Sequence, residues 1–172
     1  MRKWYLGLMV GCIAILALCY AQKSVKIVEL KHYPVDDLKG LAAQTVVELD
    51  NKISSDGKGS IKIVAANAIT INLYETGKID IENARFIYQA KVKTEKVEGQ
   101  VYLEMWCVVK GKSYFSRGLD NTLTGTVDWT ALEIPFFFKK GENPDNVKLN
   151  IVINGTGTVW VDDIHILKAP LK

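Results

Sequence analysis

The sequence is short of most residues and spacings that make chemistry legible. It has 172 residues but only two histidines, His32 and His165, with three cysteines and four prolines. No HExxH, paired-histidine or CxxC spacing occurs, which speaks against a zinc or catalytic metal centre. GxSxG is also absent, so a serine hydrolase of the elbow type has no support. The glycine-rich stretch GTGTVW (155–160) joins two apolar runs and opens no helix. It reads as a hairpin turn rather than a phosphate cradle. Carboxylates are plentiful, as in Asp36-Asp37 and Glu95 to Glu98. A glycosidase, however, needs two at a set separation across a cleft, and no nucleophile–base pattern accompanies them. The chain therefore reads as non-enzymatic.

Net charge and cysteine both fall once the N-terminal segment is set aside. Met1-Arg2-Lys3 precedes a run from Trp4 to Ala21 that carries no charge. Basic head, apolar middle and small final residue make a secretory signal with its cut after Ala21. The competing reading is an uncleaved anchor, since 18 residues approach the lower limit of about 17–25 for a spanning helix. A lipoprotein signal fits poorly: Cys19 follows the large Leu18, and Cys12 follows Gly11 after a very short apolar run. Either main reading makes the protein exported, whether periplasmic, extracellular or membrane-tethered. Loss of residues 1–21 removes Arg2 and Lys3, and with them most of the excess of 22 basic over 19 acidic residues. No basic patch remains for nucleic acid, and the membrane is met only through residues 4–21 if that segment is uncleaved. Cys107 alone remains, so no internal disulfide can form.

Residues 22–172 suit a single domain with a real core. Short alternating runs rich in β-branched and aromatic residues recur: 25–30, 45–50, 60–65, 69–74, 85–93, 101–109, 113–119, 130–138, 147–153 and 158–167. ETGK, VEGQ, VKGK, KKGEN and INGTG separate them as turns. Only PVDDLKGLAAQ (34–44) suggests a short helix. The pattern predicts an all-β protein, a two-sheet antiparallel jelly-roll sandwich behind the N-terminal signal segment. Alternation assigns faces: Phe86, Tyr88, Ala90 and Val92 inward, and likewise Leu132, Ile134, Phe136 and Phe138. Val101, Leu103, Met105, Cys107 and Val109 share another inward face, which makes Cys107 a buried, inert thiol.

The run VWVDDIHIL (159–167) breaks this rule. Val159 and Val161 share one parity, Ile164 and Ile166 the other. One extra residue at Asp162–Asp163 restores both sets to the core, which is what a β-bulge does. One carboxylate of the pair is then buried and needs donors or a cation.

Gly157 to Ile164 (GTVWVDDI) resembles the closing strand of galactose-binding-like jelly rolls, among them carbohydrate-binding modules found beside glycoside hydrolases. Similar domains precede the catalytic parts of some erythromycin-esterase-type hydrolases and secreted peptidases. DGKGSIKI (56–63) resembles the early turn and strand of that family, and Asp128-Trp129 followed by TALEIPFFF resembles its late strand. The likeness spans roughly residues 45–167. It implies a structural calcium at the sandwich edge, with Glu48, Asp50, Asp56 and Asp163 as the matching ligands and Asp163 as the inward carboxylate. The alternative is that Asp163 caps backbone donors while Asp50 and Asp56 shape turns.

The resemblance also implies a non-catalytic binding module with a glycan as partner. The face opposite Cys107 presents Tyr102, Glu104 and Trp106, two rings and a carboxylate arranged to underlie a sugar. Trp160 stands opposite Val159 and Val161, and Trp129 reads as a loop anchor. The competing view has the rings covered by a loop or by the 34–44 segment, since large aromatics are buried on average. That view makes the chain a structural or protein-interaction module of the cell envelope. A third reading is an orphan accessory domain of a hydrolase.

Overall fold

The computed structural model describes residues 26–171. The expected signal or anchor, residues 1–21, lies outside them. Eight antiparallel strands account for the fold: β1 (Val28–Tyr33), β2 (Glu48–Asp50), β3 (Ser60–Ala65), β4 (Ile69–Gly77), β5 (Ala84–Val109), β6 (Lys112–Arg117), β7 (Leu123–Phe138) and β8 (Asn146–Pro170). Among the described residues there is no helix. Segment 34–44, expected to hold one, is a series of turns. Val35 there takes φ 66° and Gly40 φ 76°, values that a right-handed helix cannot contain. Val35 and Leu41 still reach the core.

The two layers of the sandwich are made from one hydrogen-bonded sheet. β5 and β8 pair along almost their whole lengths, from Ala84↔Pro170 to Val108↔Asn146. Halfway along, both strands bend. The first layer contains β7, the first half of β5 and the second half of β8, with β1 and β3 on the far flank of β8 and β2 beyond β3. The second contains β6, the second half of β5, the first half of β8, and β4. Contacts between layers close the structure. Tyr33 of β1 stacks on Tyr74 of β4 at 4.0 Å, Lys31 Nζ donates to Thr76 Oγ1, and Ser116 Oγ of β6 donates to the Pro135 carbonyl of β7. Pro135 lacks an N–H, and among the described residues β7 pairs only with β5, so it is an edge strand where that loss is tolerated.

The bend replaces two expected turns. VEGQ (97–100) and GTG (155–157) lie inside β5 and β8 and do not reverse the chain. Gly99 and Gly155 face each other across the ladder. A Cβ on Gly99 would stand 2.1 Å from the Asn154 carbonyl oxygen, and one on Gly155 1.8 Å from that of Glu98. With φ of 116° and 153°, these positions also lie where side chains are disfavoured. The glycines thus permit two strands to fold over together, where a hairpin reading would split each strand in two.

The inward faces follow alternation. Phe86, Tyr88, Ala90 and Val92 are fully buried, and Leu132, Ile134 and Phe138 are nearly so. Val101, Leu103, Met105 and Cys107 oppose them within the same apolar cluster. Burial pushes the Cys107 thiol up to about 12.

Candidate ligand groove and the carboxylate pair

The bulge stands where the parity break requires it. Gln89 pairs with His165 and Lys91 with Asp162, so two residues of β8 oppose one of β5. Asp163 takes φ 49°, the left-handed conformation that aspartate tolerates better than most residues. The buried carboxylate, however, is Asp162, not Asp163 as expected. Asp162 is fully buried, accepting from Ser55 N at 2.7 Å and from Asp163 N at 2.7 Å. The loop between β2 and β3 lies over this part of β8 and supplies the first of these donors. The same loop region covers Trp160, whose Nε1 donates to Asp50 Oδ2 at 3.0 Å.

Asp163 instead turns to a half-exposed cluster. Its Oδ1 lies 2.8 Å from His32 Nε2 and 2.9 Å from His165 Nε2, and its Oδ2 lies 3.0 Å from Lys91 Nζ. Partial burial raises its pKa, but bonds from Lys91 and His32 and the charge of His165 hold it down at about 2.

The four proposed calcium ligands are not assembled. Among the described residues, no three of Glu48, Asp50, Asp56 and Asp163 bring ligand atoms within 4.8 Å of one another. Three already have a lysine partner: Lys62 lies 3.9 Å from Glu48, Lys58 3.2 Å from Asp56, and Lys91 3.0 Å from Asp163. Asp50 accepts from Lys52 N, Ile53 N and Trp160. Cationic side chains at three of the four positions oppose a divalent ion there, so these four residues do not fit the calcium that the resemblance implies.

Tyr102, Glu104 and Trp106 fare differently. They lie in line along the outer face of the second layer, beside Val152, Asn150 and Lys148 of β8. On the far side of β8, Thr70 pairs with Val152 and Asn72 with Asn150. On the other flank of β5, Arg117 pairs with Glu104, Phe115 with Trp106 and Ser113 with Val108. Two shallow cavities that share Thr70 run across this face. One, of about 370 Å³, is bordered by Trp106, Asn72, Asn150 and Ser113. The other, of about 270 Å³, is bordered by Tyr102, Val152 and Asn154.

Glu104 is only 4% exposed and does not face the groove as a free acceptor. Oε1 accepts from Trp106 Nε1 at 2.7 Å and from Asn150 Nδ2 at 3.0 Å; Oε2 accepts from Arg117 Nε at 2.5 Å. Burial pushes its pKa up, and the bonds from Asn150, Arg117 and Trp106 outweigh this and leave it below the usual range. Its role is to fix the indole and the Asn150 amide. Trp106 is held from the other side by Phe115, with ring centroids 5.1 Å apart, and the Arg117 guanidinium lies 4.6 Å over Phe115. Tyr102 presents only a strip of its surface to the groove, while Trp106 is half-buried.

Sequence reading misses Asn72 and Asn150. Both residues line the larger of these two cavities, and in each the Oδ1 atom is buried and has no partner. Asn72 uses its Nδ2 on Glu75 at 2.6 Å, as Asn150 uses its Nδ2 on Glu104, so neither amide oxygen is matched by a protein donor. The outward parity of ITINLY and VKLNIVI is a signal for them, but the pairing of β4 and β8 with β5 is not written in either run.

No protein-family model and no curated protein matches the chain. Solved structures do. A Clostridium thermocellum endo-1,4-β-D-xylanase 10B fragment, CBM22-1 with its GH10 module, in complex with xylohexaose, is 14% identical with a TM-score of 0.60, over 80% of this chain and 28% of that one. The CBM22-1 xylan-binding domain of Paenibacillus barcinonensis Xyn10C is 14% identical with a TM-score of 0.57, over 88% of this chain and all of that one. The mannan-recognising module TmCBM27 is 12% identical with a TM-score of 0.52, over 84% of this chain and 99% of that one. The chain thus spans whole modules but little more than a quarter of the xylanase fragment, and its fold is the β-sandwich of carbohydrate-binding modules.

Proposed function

We propose that the chain is an exported, non-catalytic carbohydrate-binding module whose ligand lies along the outer face of the second layer. The observation that carries this reading is the meeting, in one groove, of an indole ring with two asparagine side chains, Asn72 and Asn150, whose amide oxygens lack a protein partner and come within reach of a hydroxyl by a small side-chain rotation. A pyranose ring needs both features: an apolar face to cover and hydroxyls to accept from. An aromatic ring already held in place by Glu104 and Phe115 loses little freedom when a sugar stacks on it. The groove is open and long rather than deep, which suits an internal stretch of a linear glycan. The xylan-binding and mannan-recognising neighbours support linear polysaccharides as the first ligands to test. Export rests on the charge-free run behind Arg2-Lys3.

The second reading, an interaction module of the cell envelope, rests on a different place. Tyr114 and Phe137 are 47% and 60% exposed and border a cavity of about 480 Å³ with Phe136 and Lys139. Affinity electrophoresis in gels containing xylan, mannan or mixed-linkage glucan separates the readings. Retardation removed by Trp106→Ala and kept in Phe137→Ala supports the glycan groove. No retardation in any of the three gels would move the assignment to the interaction module.

A further inference from the structure

β6 and β7 are edge strands of the two layers, each paired with β5 alone among the described residues. They meet where Ser116 Oγ donates to the Pro135 carbonyl at 2.7 Å. Beyond that bond they leave between them a cavity of about 480 Å³, larger than either part of the groove. Tyr114 and Phe136 border it on strand positions opposite the buried Cys107 and Phe86, so both belong to the side of each layer that faces the other layer. Three lysines, Lys110, Lys112 and Lys139, also border it, against one carboxylate, Glu142.

The charges are not balanced within the chain. Among the described residues no carboxylate oxygen lies within 4.0 Å of any of the three ammonium groups. Glu142 is engaged in its own loop, where Oε2 accepts from Lys139 N at 2.8 Å. That loop is fixed at its base. Asn143 Oδ1 accepts from Ile81 N at 2.8 Å and from Glu82 N at 2.7 Å, and the Glu82 carboxylate accepts from Gly141 N. The hairpin from β5 to β6 is the two-residue turn Lys110-Gly111, with φ of 50° and 75°. Such turns favour Asn or Asp at the first position, because a short polar side chain tolerates positive φ. Lysine stands there against that preference, and a costly backbone conformation of this kind points to a use for its side chain.

We propose that this cavity is a second ligand site, one that takes a uronate residue of an acidic polysaccharide. A uronate ring has an apolar face to lie against Tyr114, a carboxylate for the lysines, and hydroxyls for the free oxygen of Glu142. Two anchored turns hold the cations in place before the anion arrives, which lowers the cost of ordering them. A peptide strand is disfavoured. Along β7 it would meet Pro135, which has no N–H, and a carbonyl already bonded to Ser116, while Lys112 guards β6. The choice of a sugar rests on the carbohydrate-binding reading above, but the cavity shares no bordering residue with the groove.

The test is calorimetric titration of the full chain with tetragalacturonate. Wild type should bind it saturably, and more weakly as salt is added. Tyr114→Ala and the Lys112→Gln/Lys139→Gln double variant should each weaken binding by about 10-fold or more. All three side chains are exposed, and circular dichroism checks that the variants stay folded. Trp106→Ala should bind tetragalacturonate as wild type does, and the lysine variant should bind xylohexaose as wild type does. The two sites therefore fail separately: loss of xylohexaose binding alone removes the groove, and loss of tetragalacturonate binding alone removes this site. No saturable binding of tetragalacturonate by wild type, or binding unchanged in the tyrosine and lysine variants, overturns the proposal. Equal affinity for a hexaglutamate peptide also overturns it, in favour of an acidic protein partner.

Discussion

Glu104→Ala tests how the groove is held. The carboxylate is 4% exposed and has three donors. Arg117 can turn to water when its partner is lost. Asn150, 6% exposed, cannot, so its Nδ2 is left buried and unmade at about 1–3 kcal/mol. Trp106 Nε1, half-buried, loses about 1 kcal/mol, and the one removed methylene adds about 0.8 kcal/mol. The loss should total about 3–5 kcal/mol. At about 2–4 °C per kcal/mol for a domain of this size, thermal denaturation followed by circular dichroism should show a fall of about 6–20 °C. Glu104→Gln keeps an acceptor for Trp106 and Asn150 and should lose less than half as much. The pH dependence has a definite sign. The folded-state pKa lies below the ordinary 4.5, so this stabilisation is complete above that pH and disappears as pH falls through the folded value. Glu104→Gln should flatten that part of the acid-stability curve. A melting temperature for Glu104→Ala within about 1 °C of wild type would show that the three bonds do not hold the groove.

Three further outcomes follow from the fold. Cys107 should react with a thiol reagent, followed by peptide mass spectrometry at that residue, only after denaturant is added; rapid labelling of the native chain would contradict its burial. Asp162→Ala should cost about 2–4 kcal/mol in urea denaturation, since it strands the N–H groups of Ser55 and Asp163, whereas Asp163→Ala should cost about 1 kcal/mol, as expected for half-exposed ion pairs; the opposite order would refute the assignment of the buried carboxylate. Gly155→Ala places a Cβ 1.8 Å from a backbone oxygen and should prevent folding, so a soluble, cooperatively melting variant would mean that the bend lies elsewhere.

Much of the scaffold is legible in the sequence alone. Alternation places Phe86, Tyr88, Ala90 and Val92 inward because a strand has a period of two whatever its partner. The same rule locates the bulge at Asp162–Asp163. It does not say which carboxylate is buried, because that depends on the path of the loop between β2 and β3, and loop paths are set by tertiary contacts. The glycines of VEGQ and GTG mislead for a related reason. A glycine that permits chain reversal and one that permits two paired strands to bend look alike until the partner strand is known. The groove is half visible: Tyr102, Glu104 and Trp106 lie on one strand, and local parity aligns them. Asn72 and Asn150 join them only through pairing across β8, and Glu104 is the group that holds Trp106 rather than one that opens onto the groove.

The central claim is that the ring of Trp106 and the amides of Asn72 and Asn150 form one glycan site. Calorimetric titration of wild type, Trp106→Ala and the Asn72→Ala/Asn150→Ala double variant with xylohexaose and mannohexaose tests it most directly. Wild type should bind at least one of them with a Kd in the micromolar to millimolar range, roughly 4–8 kcal/mol. Both variants should stay folded and lose that binding. Wild-type affinity retained in folded Trp106→Ala, or no heat of binding from wild type with either sugar, would contradict the account.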